Sequence, residues 1–238
     1  MKNKNYIIIG ASGGIGTQLS KDLHECQSNI ILGYHNQSPQ NDFSVIKSEK
    51  VDATSFESTL NFFTEATKEF DHIDGVVSLP GSILLKPPHL VSESDFYNTI
   101  DVNLKSAFSV VRAAGKLLSN SSIVLLSTAA VDIGLNSHEL IVAAKAGIES
   151  IVKSASKTYA RKKLRFNAVA PGLIDTPLSS RIINNPAALE ISKKMQTSDR
   201  VGEPKDISNM IKFLLNPSNN WITGQTFRVD GGLSSTKS

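Results

Sequence analysis

Three glycines, Gly10, Gly14 and Gly16, stand in a G-x-x-x-G-x-G spacing directly after four apolar residues, Tyr6 to Ile9. The spacing is a variant of the dinucleotide-binding turn, whose chemistry is the holding of a phosphate. Glycine lets the backbone take positive φ and lets a ligand lie directly against it. The unpaired N–H groups of the following helix start, with the positive end of its dipole, favour an anion there. A tight strand-to-helix turn with no ligand would carry the same spacing. Further along stand other groups able to do chemistry: Asp52, the hydroxyl pair Ser127 and Thr128, and Lys145. Asn103 falls in mid-helix, where asparagine is a poor residue unless its amide has a task.

The elements that must position these groups alternate in type. Residues 6–9 read as a strand buried on both faces, and Ile15, Leu19 and Leu23 place a helix after it. Further strands are predicted over Asn29–Leu32, 44–51, Ile73–Leu79, Ser122–Ser127 and Leu164–Val169, with a last short one inside 221–232. Helices are predicted over Phe56–Phe70, from a Ser92 cap to about Leu118, over roughly Glu139–Lys163, and from Pro204 to Asn216. Residues 178–200 give helical stretches broken by Asn184-Asn185-Pro186, which read as a flap over a site, and the tail from Ser234 to Ser238 reads as frayed. Strands alternating with helices predict an α/β fold: a Rossmann-type, doubly wound parallel sheet covered on both faces, in a single domain over 1–238. In such a sheet ligands bind beyond the C-terminal strand ends. The Gly10 turn, Asp52 with Ala53, Gly81, Ser127 with Thr128, and Pro171-Gly172 all lie just past predicted strand ends.

At the end of the second strand, Gly33-Tyr34-His35-Asn36 contains no acidic residue to accept from the ribose 2′-hydroxyl of NAD. That permits NADP, with His35 and Asn36 as donors to a 2′-phosphate, although ordinary loop residues would look the same. The formal charge of +3 does not point to nucleic acid or membrane as partner. The densest basic run, Arg161, Lys162, Lys163 and Arg165, falls at a predicted helix end and reads as a solvated cap. Cys26 is the only cysteine, so no intrachain disulfide can form, and a reducing cytoplasm fits. Residues 1–9 are too short and polar for a signal peptide or membrane span.

Together these motifs resemble the short-chain dehydrogenase/reductase family over nearly the whole chain. Residues 10–16, with Ser12 and Ile15, match the family's cofactor loop, and Asp52 matches its adenine-binding aspartate. Ser78-Leu79-Pro80-Gly81 stands where the family usually has Asn-Asn-Ala-Gly, and Asn103 matches the asparagine of its catalytic set. Pro171 and Gly172, with Ile174 and Thr176, match the segment that touches the nicotinamide and pyrophosphate; Ile222–Gln225 through Asp230-Gly231-Gly232 matches the C-terminal segment. The family places a serine before a Tyr-x-x-x-Lys pair on one helical face. Here Lys145, inside Ala143-Ala144-Lys145-Ala146-Gly147, matches the lysine, Thr128 the serine, and the tyrosine position holds Ile141, which has no proton to give.

The resemblance implies an NAD(P)-dependent oxidoreductase moving a hydride between a nicotinamide, NADP ahead of NAD, and a small carbonyl or alcohol. Asn103, Thr128 and Lys145 would be catalytic, with Lys145 also on the cofactor ribose. His138, seven residues before Lys145 and so on its face of a regular helix, is a candidate surrogate acid. A catalytically inert dinucleotide-binding protein, acting as sensor or partner subunit, stays open, as does reduction of an activated double bond. The family also implies a homotetramer or homodimer; no metal site is expected.

Overall fold

The computed structural model describes residues 1–236. In chain order its elements are β1 (Asn5–Ile9), α1 (Gly14–Glu25), β2 (Asn29–Tyr34), β3 (Lys47–Lys50), α2 (Phe56–Glu69), β4 (Gly75–Ser78), α3 (Glu93–Ile100), α4 (Ser106–Leu117), β5 (Ser122–Leu126) and α5 (Glu139–Thr158). They continue with β6 (Arg165–Pro171), α6 (Ser180–Ile183), α7 (Pro186–Lys194), α8 (Pro204–Leu215) and β7 (Thr226–Val229). The strands form one parallel sheet in the order β3-β2-β1-β4-β5-β6-β7. Strand order reverses between β1 and β4, and that is where a ligand crevice opens in such a sheet.

Alternation along β1 explains the two layers. Ile7 and Ile9 join Phe63, Val110, Val152 and Phe166 under α2, α4 and α5. Tyr6 and Ile8 point the other way, onto Leu19 and Leu23 of α1 and Ile211 and Leu214 of α8. The predicted single α/β domain is therefore the observed one.

Several boundaries differ from the sequence expectation. The strand expected over 44–51 shortens to β3, whose Lys-Ser-Glu-Lys sequence has no apolar face. The helix expected from Ser92 to Leu118 is two helices joined by a π-helical turn over Asp101–Lys105. The helix expected to reach Lys163 ends at Thr158, because a 3₁₀ turn over Ala160–Lys162 leads into Lys163 in the left-handed conformation, φ +55°. The basic run thus lies beyond α5, and Lys162 Nζ donates instead to Gly115 O at the end of α4, at 2.6 Å. The frayed tail expected from Ser234 is anchored as far as Thr236: Ser234 N donates to Asp230 Oδ2 at 3.0 Å, and Thr236 Oγ1 lies 2.8 Å from Thr197 Oγ1. Lys237 and Ser238 lie outside the described residues.

Candidate functional site

The crevice is built first from backbone. Gly10 has φ +83°, which turns β1 sharply, and its N–H donates to Gly33 O at 2.9 Å. A side chain at Gly10 would place its Cβ 3.1 Å from Pro80 N, so the turns after β1 and β4 are in contact. A Cβ at Gly16 would sit 2.4 Å from Gly10 O, and one at Gly14 2.8 Å from Thr176 Cγ2. The first bond of α1 runs from Thr17 N to Gly13 O. The N–H groups of Gly14, Ile15 and Gly16 therefore have no acceptor inside the helix, and the cap residue Gly13 offers no side chain to take them. Ser12 is exposed beside this turn. A cradle of backbone donors at a helix start fits a pyrophosphate, with Thr176 closing it from the far side. Pro171 ends β6; Gly172 N donates to Val229 O, and Ile174 is buried and bridges to Gly202.

At the other side of β1, His35 and Asn36 are exposed just past β2. Asp52 Oδ1 accepts from Thr54 Oγ1 at 2.7 Å and Thr54 N at 2.9 Å. The Thr54 hydroxyl bond, against the opposing effect of burial, holds this carboxyl below its ordinary range, with His35 and Lys105 adding favourable charge. Asp52 is thus ionised at neutral pH, and its second oxygen has no hydrogen-bond partner among the described residues, as an acceptor for an adenine amino group requires. Ala53 beside it is buried.

Gly81, Asn103 and Lys145 converge between these two sides. A Cβ on Gly81 would lie 3.3 Å from Asn103 Oδ1 and 3.6 Å from Lys145 Nζ. The π-helical turn carries Asn103 inward, fully buried. Its Nδ2 donates to Ser82 Oγ and to Thr99 O, both at 3.0 Å, while Oδ1 accepts from Ser82 N at 3.2 Å. Lys145 is buried on α5, and Nζ donates to Leu126 O, the last carbonyl of β5, at 2.8 Å. Burial pushes its pKa down to about 8.

The hydroxyls after β5 part company. Ser127 Oγ turns into the core and donates to Glu149 Oε1 at 2.7 Å. Thr128 Oγ1 accepts from Ala130 N at 3.4 Å, capping the short 3₁₀ turn Ala129–Asp132. Ile141 lies one turn before Lys145 on α5 and is buried. The shared helical face expected for His138 does not exist: α5 starts at Glu139, and His138 is its cap residue at φ −101°, ψ 0°. Its Nδ1 lies 2.8 Å from Asn136 O, outside the helix whose spacing would have aligned it with Lys145.

Sequence reading missed the partners that hold the centre. Arg228 of β7 donates through Nη2 to Glu149 Oε2 at 3.0 Å and through Nε to Asp132. Glu149 thereby ties Ser127 to β7, and Asp132 ties the turn after Thr128 to the same guanidinium. Ser82 is likewise unmarked in sequence. A glutamate four residues after Lys145, on the same helical face, was the one available signal.

Comparison with known proteins agrees with this fold. A family model described as "Enoyl-(Acyl carrier protein) reductase" matches residues 10–234. A "Hydroxynaphthalene reductase-like protein Arp2" from Metarhizium robertsii is 28% identical, across 98% of this chain and 95% of that protein. The "3-oxoacyl-[acyl-carrier-protein] reductase FabG" of Staphylococcus aureus is also 28% identical, across 97% of this chain and 98% of its own. Among solved structures, a short-chain dehydrogenase/reductase from Brucella melitensis superposes with a TM-score of 0.89 at 28% identity, covering 99% of this chain and 98% of that one. Thermoplasma acidophilum aldohexose dehydrogenase, ligand-free, gives 0.90 at 25% identity, covering 99% and 96%. Among the described residues no helix is long and apolar enough to cross a membrane. With the glycine turn, the parallel sheet and the match of nearly its full length, the chain belongs to the short-chain dehydrogenase/reductase family, oxidoreductases whose members bind NAD or NADP.

Proposed function

We propose that the protein is an NAD(P)-dependent reductase of a small carbonyl compound, working in the cytoplasm with isoleucine at the family's tyrosine position. The observation that carries this reading is the meeting of Gly81, Asn103 and Lys145 Nζ beside the phosphate cradle. Two relatives named as reductases support the direction of reaction. The bound nicotinamide would supply or accept the hydride. Thr128 Oγ1, which accepts one N–H and keeps its own hydrogen, would orient the substrate oxygen. Asn103 and Ser82 would fix the loop after β4, and Lys145 would hold the cofactor ribose. Asp52 would take the adenine, and His35 and Asn36 favour NADP, since no carboxylate stands there to repel a 2′-phosphate.

Ile141 cannot protonate the substrate oxygen, so the proton must come from elsewhere. Lys145 Nζ lies inside the site with its pKa pushed down to about 8 by burial, whereas His138 lies off the helix. We assign the proton to Lys145 Nζ first and to His138 second. The segment 178–200, with Leu178 and Ile191 exposed, would close over the substrate. A homodimer or homotetramer would form through α4 and α5, where Phe108 is exposed beside Leu104 and Ile151.

The missing tyrosine also favours a second reading, an inert dinucleotide binder. Consumption of NADPH and NADH over a panel of ketones and aldehydes separates the two. Turnover by the wild type that Lys145→Met removes and His138→Ala leaves intact supports the assignment above. If the wild type binds cofactor without turnover and Ile141→Tyr creates activity, the inert reading holds.

A further inference from the structure

The opposite ends of the strands enclose a second opening. A cleft of about 490 Å³ lies at the starts of β4, β5 and β6, lined by Lys4, Asp74, Asn120, Lys163, Arg165 and Asn220 with their neighbours. Its charges do not balance. Asp74, the carboxylate of this lining, is occupied: Oδ1 accepts from Lys4 Nζ at 2.8 Å and Oδ2 from Asn5 N at 2.9 Å. Lys163 and Arg165 have no carboxylate within ion-pair distance among the described residues. Arg165 is held from behind by carbonyls, Nη1 on Ile222 O and Nη2 on Leu214 O, each at 2.9 Å. The rest of its five-donor fork stays unbonded. Burial disfavours its charge, which a bound anion would relieve.

The backbone marks the same place. Lys163 has φ +55°, a left-handed conformation in which glycine is the unstrained residue, and yet the residue there is a cation on the cleft wall. Trp221, the chain's only tryptophan, follows Asn220 of that wall in sequence and is 96% exposed, outside the lining, so it serves as a nearby fluorescence reporter.

We infer that this cleft binds the phosphate group of a small phosphorylated metabolite, with Lys163 and Arg165 on the phosphate and the organic part in the remainder of the cleft. A guanidinium fork matches a phosphate bidentately, and two neighbouring cations favour a dianion over a single carboxylate. The volume lies within the range of small-molecule sites and exceeds what a bare phosphate needs. The site is separate from the crevice at the other strand ends and does not depend on the reaction assigned there.

Titration of the whole protein with glucose 6-phosphate and with inorganic phosphate, at ionic strength fixed with potassium chloride, reads the site through Trp221 fluorescence and calorimetry. Saturable binding is expected, tighter for the sugar phosphate than for inorganic phosphate, and weakened at least tenfold by Lys163→Glu. Lys163→Gly relaxes the backbone, so it should raise the unfolding midpoint while weakening phosphate binding too. NADPH binding should be unchanged in both variants. The assignment is overturned if neither probe saturates, if inorganic phosphate binds as tightly as the sugar phosphate, or if Lys163→Gly binds like the wild type.

Discussion

Lys145 is a buried cation whose nearest acceptor is a neutral carbonyl, and this sets its pH behaviour. Its folded pKa, about 8, lies below the ordinary lysine value of 10.5. Between the two, the unfolded chain binds more protons, so this group makes stability rise with pH; below about 8 the full cost of the buried charge applies. Lys145→Met should therefore be more stable than the wild type at neutral pH, by up to about 3 kcal/mol, with the difference closing as pH approaches the unfolded value. Urea unfolding of both proteins on either side of pH 8 checks this, and a gap that does not change with pH would refute it. If the ammonium is the proton source, as proposed, carbonyl reduction should fall as pH rises through about 8, while alcohol oxidation should rise. The rate profile of His138→Ala should keep that shape. Lys145 was legible only through its small-residue neighbours and the family likeness, because a lysine in an amphipathic helix otherwise reads as solvent-facing. The place of His138 was not legible, because one residue at a helix start decides whether a side chain joins the helical array.

Helices and strands were legible where apolar residues recur and illegible where geometry changes without a change of composition. The runs in β1, β4, β5 and β6 announce buried strands, while the edge strand β3 carries only polar residues. The π-helical turn over Asp101–Lys105 leaves the helical pattern from Ser92 to Leu118 unbroken, and only the misplaced Asn103 signals it. Since Asn103 makes three hydrogen bonds while fully buried, Asn103→Ala should cost about 2–4 kcal/mol by stranding Ser82 and Thr99 O, measured by urea unfolding. A loss below about 1 kcal/mol would mean the turn does not depend on the amide. Asp22 shows a second limit. It is buried on α1, between Leu19 and Leu23, and accepts from Lys205 at 2.6 Å and from Ser208, both on α8. Helical periodicity cannot name a partner that lies nearly the whole chain away. Burial alone would raise its pKa, but the bonds from Lys205, Ser208 and Gln18 and the charge of Lys212 leave it lowered. Its contribution is thus complete above the ordinary carboxylate range and lost as pH falls through the lower folded value. Asp22→Asn should destabilise at neutral pH by about 2 kcal/mol, since both lysines keep access to water, and the deficit should shrink in acid.

At the scale of the molecule, the sheet order turns scattered motifs into one crevice. Gly10 after β1 and Gly81 after β4 lie far apart in sequence, yet these strands are neighbours at the reversal of order, so their turns touch. That convergence could be read in advance because parallel sheets place functional loops at one edge. The tie of β7 to α5 and to the turn after Thr128 through Arg228 could not, since it depends on which side chains meet across three elements. If the crevice holds a dinucleotide, binding must stabilise the whole fold. At a hundredfold excess over Kd the gain is about 2.7 kcal/mol, or a rise in Tm of about 5–10 °C for a chain of this length. NADPH should give the larger shift in the wild type. In His35→Asp the order should reverse, because a carboxylate repels a 2′-phosphate and accepts from a 2′-hydroxyl. Gly14→Ala should nearly abolish both shifts, since the added methyl meets Thr176 and fills the cradle, while the unliganded Tm moves little as Thr176 gives way. A dinucleotide response that survives Gly14→Ala would place the pyrophosphate somewhere other than the start of α1, and with it the nicotinamide away from Asn103 and Lys145.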